Sequence, residues 1–356
     1  MSAVSPKKIL HITEPFSAGV FTSISNLVIG LPDYAHFVLH GSDRLEKNIP
    51  ALSATLILWK YVGVSLHPLK DFLALLGAMR TIQKIKPDII HLHSSKAGFL
   101  GRCGAFLLGY SKKVIYTPHG ISFLRKDISD AKRAFFQYLE YFAFFHFSGK
   151  VIACSPSEQK EIQKANISCS CIPNGVTISA QVEVQRPATK IFTVGTMGHI
   201  RHPQKGVDTF NQIAAHFQDI QFVWIGDGGD RVLLTSPNIK ITGWLSKEAL
   251  KTQIEDVDIY LSTSLWEGLP YSVLEAMAAA KPILLSNCVG HLDLITSSGE
   301  AFETLSEAIC RIQKWTESID LLHFSGQTSL EKIKNNFSIA QYLKAYDKEY
   351  SQLAEF

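Results

Sequence analysis

The segment STSLWEGLPYSVLEAMAAAKP, residues 262–282, has the pattern of a short apolar strand that leads into a loop and then into a helix. Pro270 fits the first helical turn, where the missing backbone N–H of proline is not needed. The backbone amides of Tyr271 and Ser272 would then stand at the helix start, beside the partial positive charge of the helix dipole. This segment predicts a strand–helix unit whose helix start suits a diphosphate.

The same alternation of short apolar strands and helical patterns extends in both directions along the chain. In the second half the strand candidates are IFTVGTM, QFVWIGDG, IKITGW, DIYLSTS and PILLSN. In the first half they are KKILHIT, HFVLHG, ATLILWK, DIIHLH, KVIYTPH and KVIACS. Strands that alternate with helices are typical of α/β domains with a parallel sheet. The sequence thus predicts the α/β class with two such domains.

The domain boundaries are predicted from a polar stretch between the two halves. Residues 176–190 contain Pro187 and lack clear periodicity, which indicates an interdomain linker. We therefore place an N-terminal domain at residues 1–178 and a C-terminal domain at residues 190–338. Residues 339–356 carry apolar and aromatic side chains near helical spacing, which predicts a final amphipathic helix. We expect this helix to pack back on the N-terminal domain.

The composition is that of a folded protein with no strong charge bias. Hydrophobic residues make up 46% and charged residues 19%, and the formal net charge of +3 gives no reason to expect nucleic acid as a partner. The six cysteines include no CxxC pair, which is typical of reduced thiols and argues against a zinc site. The N-terminus lacks the long apolar core of a signal peptide, so a cytoplasmic protein is expected.

Two apolar segments raise the question of membrane contact. Residues 66–79 and 134–149 are each shorter than the ~20 residues of a spanning helix, so we expect two core helices. The second segment is rich in Phe and Tyr, and such a helix beside basic residues could also touch a bilayer surface. The basic residues concerned are Arg125, Lys126, Lys132 and Arg133.

Two glutamates of the opening segment carry a resemblance to a known family. Written as Glu267-GLPYSVL-Glu275, with EG-x-P before LEAMA-x-x-x-P, the segment resembles the E-x7-E motif of retaining, family 4-type glycosyltransferases. The resemblance implies the GT-B fold, in which two Rossmann-like domains with parallel sheets face each other across a central cleft. It also implies that Glu267 contacts hydroxyls of the transferred sugar and that Glu275 bonds the ribose of the nucleotide. The alternative is a solvated loop glutamate and a surface helix glutamate.

The loop VGTMGHIRHPQKG, residues 194–206, follows a strand and is rich in glycine and basic residues, as a phosphate-binding loop should be. It is similar to the first loop of the family's nucleotide domain, where an arginine and a lysine neutralise the donor diphosphate. Lys205 matches that lysine. The arginine position holds His199, and Arg201 follows two residues later, so both side chains stay candidates for that role.

Two other glycine-containing loops resemble donor-binding segments of the family. FVWIGDGGDR would place Gly226, Asp227 and Gly228 at the donor pocket, although a tight turn between strand and helix needs the same residue types. EPFSAGVFTS places Gly19 before a helix where the family often has Gly-Gly. Ala18 occupies the first of those two positions, and its Cβ could crowd a diphosphate.

Histidines mark the third group of candidates. His119 in TPHG matches the family histidine beside the transferred sugar, where a ring N–H could bond sugar hydroxyls. His91 and His93 alternate along a strand and therefore point the same way, and an H-x-H pair can bind metal. No third ligand is visible in the sequence, so we expect a polar or packing role and no metal site.

The resemblance thus selects two sets of site residues. The predicted catalytic residues are His119, Glu267, Arg201 and Lys205. The predicted donor-binding residues are Gly19, Gly195, Arg201, Lys205, Gly226, Asp227, Leu269, Pro270, Tyr271, Ser272 and Glu275.

The chain resembles bacterial surface-polysaccharide glycosyltransferases in particular. This resemblance implies the retaining transfer of a hexose-type sugar from a nucleotide-diphosphate sugar to a saccharide. The expected acceptor is a polyprenyl-diphosphate-linked oligosaccharide at the inner membrane face. No metal or resident cofactor is expected, because loop cations and a helix start can stabilise the departing diphosphate. Two alternatives stay open: a nucleotide-sugar epimerase of GT-B type, and a non-catalytic nucleotide-sugar-binding subunit.

Overall fold

A computed structural model describes residues 5–43, 45–46, 52–178, 191–296 and 300–355. The chain divides into two compact units, the first comprising Met1–Asn174 and Ala340–Phe356, and the second comprising Gly175–Ile339. Most of the predicted linker, residues 179–190, and with it the predicted start of the second domain at residue 190, lie outside the described residues.

The first unit contains a seven-stranded parallel sheet with the strand order β3-β2-β1-β4-β5-β6-β7. Its strands are β1 (Lys8–Thr13), β2 (Ala35–His40), β3 (Ala54–Leu58), β4 (Ile89–His93), β5 (Val114–Thr117), β6 (Lys150–Ala153) and β7 (Cys169–Cys171). The helices between them are α1 (Ala18–Gly30), α2 (Pro68–Ile85), α3 (Ser95–Leu107), α4 (Asp130–Phe147) and α5 (Pro156–Lys164).

The central strands of this sheet are buried on both faces, as expected for a parallel sheet covered by helices. Every residue of β4, IIHLH, is buried, and so is every residue of β5, VIYT. Apolar side chains of β1, β4 and β5 join those of α2, α3 and α5 in the main core. Polar side chains on these strands therefore need partners inside the protein.

The second unit contains a six-stranded parallel sheet with the strand order β10-β9-β8-β11-β12-β13. Its strands are β8 (Thr193–Met197), β9 (Gln221–Ile225), β10 (Ile239–Ile241), β11 (Ile259–Ser262), β12 (Ile283–Ser286) and β13 (Ala301–Phe302). Its helices are α6 (Val207–His216), α7 (Lys247–Glu255), α8 (Tyr271–Ala278), α9 (Leu305–Glu317) and α10 (Ile319–Asn336). The two sheets confirm the predicted α/β class.

The last helix, α11 (Ile339–Leu353), packs against the sheet of the first unit. Its tyrosines form a buried row spaced by four residues, so they lie on one face of the helix. Tyr342 hydrogen-bonds Ser23 of α1, and the Tyr346 hydroxyl lies 3.1 Å from Thr117 Oγ1 at the end of β5. Among the described residues, no helix is long and apolar enough to cross a membrane.

Candidate active site

The candidate residues of the second unit gather where the strand order reverses. β8 and β11 are neighbours in the sheet although α6, β9, β10 and α7 separate them in the chain, and loops 198–206 and 263–270 follow their carboxyl ends. Ligands of open α/β sheets bind at such a switch point, outside the carboxyl ends of the strands. The predicted phosphate loop and the predicted glutamate loop therefore lie side by side.

An ion pair joins these two loops. Lys205 Nζ donates a hydrogen bond to Glu267 Oε1 at 2.7 Å, and Ser264 Oγ donates to the same oxygen at 2.8 Å. The side chains of Lys205 and Glu267 are 20% and 11% exposed, which leaves each one an opening to solvent. The pair thus brings together two residues that lie 62 positions apart in the sequence.

The pair keeps both groups charged in spite of their burial. Burial acts to raise the pKa of Glu267, but the Lys205 charge and the hydrogen bonds from Lys205 and Ser264 lower it below its usual value. Burial likewise acts to lower the pKa of Lys205, but the Glu267 carboxylate raises it. The site therefore holds a fixed ammonium beside a fixed carboxylate.

The predicted helix start exists, with one correction. Pro270 is the N-cap of α8 and not a residue of its first turn, because its ψ of 118° is extended and its carbonyl accepts hydrogen bonds from Val273 and Leu274. Within the part of the chain that the structure describes, the N-cap of α8 makes no side-chain hydrogen bond. Leu269 and Tyr271 are buried, whereas Ser272 and Glu275 are half-buried and lie on the more open side of the helix.

The two glycine-containing loops of this unit are bound to each other. His199 Nδ1 donates to the Asp227 carbonyl at 2.7 Å, and the same carbonyl accepts the Ile200 amide at 3.0 Å. Gly226 has a φ of +138°, and a Cβ there would lie 2.2 Å from the Gly198 carbonyl oxygen, so only glycine fits. His199 is thus held by backbone contacts, while Arg201 lies in the turn that begins four residues before Lys205.

Gly195 is placed differently from its prediction. It lies inside β8 and is buried, and a Cβ on it would meet Val257 Cγ2 at 2.4 Å. The structure thus gives Gly195 a packing role between β8 and the segment before β11. Gly206, like Gly226, is a loop glycine that allows a close approach: its φ is +58°, and a Cβ on it would lie 2.0 Å from the Thr263 carbonyl oxygen.

In the first unit, His119 follows β5 on a tight turn. His119 has a φ of +55° and Gly120 a φ of +98°, a left-handed backbone that needs outside support. The buried carboxylate of Glu158 supplies it, because Glu158 Oε1 accepts the amides of Gly120 and Ile121 at 2.7 and 2.9 Å. The sequence does not reveal this role of Glu158, since a glutamate three positions after Ser155 suggests only helix capping.

Gly19 lies in the first turn of α1, after the carboxyl end of β1, and is half-buried. Ala18 before it has a φ of +48°, a conformation that favours glycine, and its amide lies 3.4 Å from Glu46 Oε2. Ala18 is exposed, so its Cβ projects beside the backbone that the family resemblance assigns to diphosphate contact. Gly19 and His119 both belong to the first unit, whereas the other candidates belong to the second.

The H-x-H pair of β4 has a third partner that the sequence did not reveal. His11 of β1 lies in register with His91, and donor atoms of His11, His91 and His93 all lie within 4.8 Å of one another. Such a group could hold a metal ion, but both ring nitrogens of each of the three histidines already have hydrogen-bond partners. The expected polar and packing role agrees with these bonds.

The chain resembles glycosyltransferases along both of its halves. Residues 19–180 match the family described as Glycosyltransferase Family 4, and residues 189–320 match the family described as Glycosyl transferases group 1. A protein of the cps region of Klebsiella pneumoniae is 30% identical over 312 residues, which cover 82% of this chain and 84% of the relative.

An enzyme and a solved structure are each similar to most of the chain. The UDP-Gal:alpha-D-GlcNAc-diphosphoundecaprenol alpha-1,3-galactosyltransferase of Escherichia coli is 27% identical over 307 residues, 77% of each chain. The sucrose-phosphate synthase from Thermosynechococcus elongatus superposes with a TM-score of 0.78 over 98% of this chain and 99% of its own, at 15% identity. That likeness shows a shared fold, the GT-B fold expected from the E-x7-E motif.

Proposed function

The chain belongs to the glycosyltransferases that combine a family 4 domain with a group 1 domain, and from this premise we propose that it transfers a hexose-type sugar with retention of configuration. The proposed donor is a nucleotide-diphosphate sugar, and the proposed acceptor is a saccharide linked to a polyprenyl diphosphate. The E. coli relative, a galactosyltransferase named for a UDP-sugar donor and a diphosphoundecaprenol-linked acceptor, supports this choice. The proposed process is synthesis of a bacterial surface polysaccharide or O-antigen.

The observation that carries the proposal is the Lys205–Glu267 pair at the carboxyl ends of β8 and β11. Lysine has three N–H donors, and Glu267 takes one of them, so the others can bind donor phosphate oxygens. The departing nucleoside diphosphate gains negative charge as its bond to the sugar breaks. A preorganised ammonium and the amides at the start of α8 would stabilise that charge in a partly water-excluded site.

Glu267 has a second role in the proposal. Its low pKa keeps it ionised at neutral pH, and an ionised carboxylate is only a hydrogen-bond acceptor. It would therefore bind hydroxyl groups of the transferred sugar, while Glu275 on α8 would bind the ribose. We assign no covalent nucleophile, and we propose that the reaction needs no metal because Lys205, with Arg201 as a further cation, supplies the positive charge.

Nucleotide binding tests the donor site directly. Saturation-transfer NMR and thermal shift with UDP-, GDP- and dTDP-sugars would compare the wild type with Lys205→Ala and Glu275→Ala. The matched control is Lys251→Ala, which removes an exposed lysine of α7 in the same unit. We expect one nucleotide class to bind and only the two site variants to weaken it. Binding that ignores both site substitutions would contradict the site assignment.

Product analysis then tests the reaction. With a lipid-linked acceptor, proton NMR of the product would give the anomeric configuration, and an inverted product would contradict the retaining mechanism. Interconversion of free nucleotide sugars without an acceptor would indicate an epimerase. Binding without either reaction would indicate a non-catalytic subunit.

We further propose that α4 contacts the inner face of the membrane where a lipid-linked acceptor resides. Aromatic side chains on this helix are exposed, and Lys132 and Arg133 lie in its first turn. The exposed fractions are 49% for Phe135, 60% for Tyr138, 40% for Tyr141 and 68% for Phe145. Aromatic and basic residues on one helix suit the interface of an anionic bilayer.

Vesicle flotation tests this contact. The double variant Tyr138→Ser, Phe145→Ser should lose binding to vesicles of anionic phospholipid. The control Val232→Ser, Ile319→Ser removes exposed apolar side chains of the second unit, which are 76% and 48% exposed, and should keep it. Equal binding by both double variants would contradict a role for α4.

A further inference from the structure

Three buried histidines of the first unit, His36, His11 and His93, and the half-buried His119 form one continuous row of hydrogen-bonded rings. His36 Nδ1 lies 3.1 Å from His11 Nε2, His11 Nδ1 lies 3.1 Å from His93 Nε2, and His93 Nδ1 lies 3.0 Å from His119 Nε2. The rings of His11 and His36 are stacked, and so are those of His93 and His119. The chain runs from β2 across β1 and β4 to the turn after β5.

One end of this chain has a defined proton position. His36 Nε2 lies 2.9 Å from the Leu31 carbonyl oxygen, and a carbonyl only accepts hydrogen bonds. His36 must therefore carry its proton on Nε2. A neutral imidazole has one proton, so His36 Nδ1 is an acceptor, and its neighbour His11 must donate from Nε2.

The same step repeats along the chain. His11 donates from Nε2, so its Nδ1 accepts from His93 Nε2–H, and His93 Nδ1 then accepts from His119 Nε2–H. Burial lowers the pKa of all four histidines, to about 4 for His119, which keeps each ring neutral at physiological pH. The Leu31 carbonyl thereby determines the tautomer of His119, the fourth histidine of the row.

We infer that His119 presents an unprotonated Nδ1 to the donor sugar. This nitrogen accepts a hydrogen bond from a sugar hydroxyl group, so the protein binds a sugar that has this hydroxyl and rejects one that has a carboxylate in its place. Among the residues that the structure describes, Nδ1 of His119 has no hydrogen-bond partner, and the residue is half-buried. An unprotonated imidazole nitrogen attracts an O–H hydrogen and repels a carboxylate oxygen. The inference rests on the proposed function and reverses the expected N–H contact from this ring.

The row of hydrogen-bonded histidines positions the His119 ring but does not carry protons away from the substrate. If Nδ1 took a proton from a hydroxyl, each Nε2 proton would have to shift one ring further, and the last would arrive at the Leu31 carbonyl, which is not a base. His36, His11 and His93 are therefore positioning residues, and only His119 would touch substrate.

His91 offers a built-in contrast. It is also fully buried on β4, but its two nitrogens bond hydroxyl groups, Tyr350 at 2.7 Å and Thr117 at 3.0 Å. Hydroxyl groups can donate or accept, so these hydrogen bonds do not determine which ring nitrogen of His91 carries the proton. A substitution at His91 removes a buried ring from the same strand without interrupting the chain.

The test is ¹⁵N NMR of histidine-labelled protein at neutral pH, in which the two ring nitrogens report their protonation separately. We expect wild-type His119, assigned with His119→Gln, to be a single Nε2–H tautomer. His36→Leu should give a mixture of both tautomers at His119. His36→Gln should restore the single form because its amide can donate to Leu31 and accept from His11, and His91→Gln should leave it unchanged.

A donor panel supplies the second readout. Once the nucleotide is known, its hexose and the matching hexuronic acid would be compared, and we expect the neutral sugar to bind at least about tenfold more tightly, a factor worth ~1.4 kcal/mol. In the His36→Leu variant, the ratio of the affinities for the neutral and the acidic sugar should fall about threefold or more. In the His91→Gln variant, this ratio should stay at the wild-type value.

Several results would overturn the inference. They are a wild-type His119 with its proton on Nδ1, a stoichiometric metal ion found by elemental analysis of the purified protein, or equal binding of the neutral and acidic sugars. The tautomer of wild-type His119 is read without any substrate, and a variant is needed there only to assign the His119 signals. If the tautomer is as inferred but no nucleotide sugar binds, the proposed function fails while the state of the ring stands.

Discussion

The candidate groups of the two units differ in both their placement and their electrostatics: Lys205 and Glu267 lie in loops after β8 and β11, whereas most of the histidine row lies within strands β2, β1 and β4. In the second unit, Lys205 and Glu267 hold each other charged across 2.7 Å. In the first unit, burial holds a row of histidines neutral, and hydrogen bonds orient them. The difference suggests a division of labour in the proposed reaction. Fixed charges suit a diphosphate, whereas neutral, directed rings suit sugar hydroxyls.

The pH dependence of stability should separate the two units most strongly. Burial lowers the pKa of His11, His36, His91, His93 and His119 in the first unit, and of His291 in the second. Below pH ~6.5 the histidines of the unfolded chain become protonated while the buried rings of the folded protein stay neutral. Lowering the pH therefore lowers the free energy of unfolding, by up to ~1.4 kcal/mol per pH unit for each histidine. Because five such histidines lie in the first unit and one in the second, we expect the first unit to lose several times more stability between pH 6.5 and 5.5.

Hydrogen exchange measured by mass spectrometry checks this difference, because it reports each unit separately. Amides of β1 and β4 should lose protection between pH 6.5 and 5.5, after correction for intrinsic exchange, while those of β8 and β11 keep most of theirs. The Glu267 pair adds stability that is lost only as pH falls through the lowered pKa of that carboxyl, below its ordinary ~4.3. An equal loss of amide protection in both units would contradict the predicted difference between them.

Removal of the fixed charge should have the largest effect on turnover. Lys205→Ala is expected to lower kcat by about 10²- to 10³-fold, since the group that stabilises the departing diphosphate is lost. Steady-state kinetics with the identified donor measures this, with Lys251→Ala as the control expected to match the wild type. A rise in KM with an unchanged kcat would contradict the assigned role, because it would show that Lys205 only binds the donor.

Support of the His119 turn should matter for stability. Glu158→Ala leaves the amides of Gly120, Ile121 and Cys154 without their carboxylate, and we expect a loss of about 2–4 kcal/mol in the free energy of unfolding. Urea titration gives this value. Glu161→Ala, on the same helix α5 but more exposed, should change it by less than about 0.5 kcal/mol. Similar losses from both variants would argue against a special role for Glu158.

The smallest effect is expected at the start of α1. Ala18→Gly relieves a left-handed alanine but adds freedom to the unfolded chain, so we expect a net gain of about 0.5 kcal/mol. Thermal unfolding measures it, and Ala345→Gly within α11 should instead lose ~1 kcal/mol. A loss at both positions would show that Ala18 is not strained. Tighter donor binding by Ala18→Gly would support diphosphate contact at Gly19.

The sequence by itself determined the features that depend on local pattern. Alternating strands and helices predicted the two parallel sheets, and EG-x-P before an apolar helix located β11, its loop and α8 to within a residue or two. These features follow from backbone preferences and apolar periodicity within about twenty residues. Pro270 was misplaced by one position because the sequence shows a helix start but not the ψ angle at its boundary.

Only the tertiary structure decided which distant side chains meet. The register of β1 against β4 places His11 beside His91 and His93, and no spacing in the sequence reveals that neighbour, 80 or more residues away. The same holds for Glu158 under the His119 turn, and for Gly195, whose packing against Val257 a glycine-rich motif cannot distinguish from ligand contact. A tautomer has meaning only once both partners of each hydrogen bond are known, and strand order, not local sequence, supplies those partners.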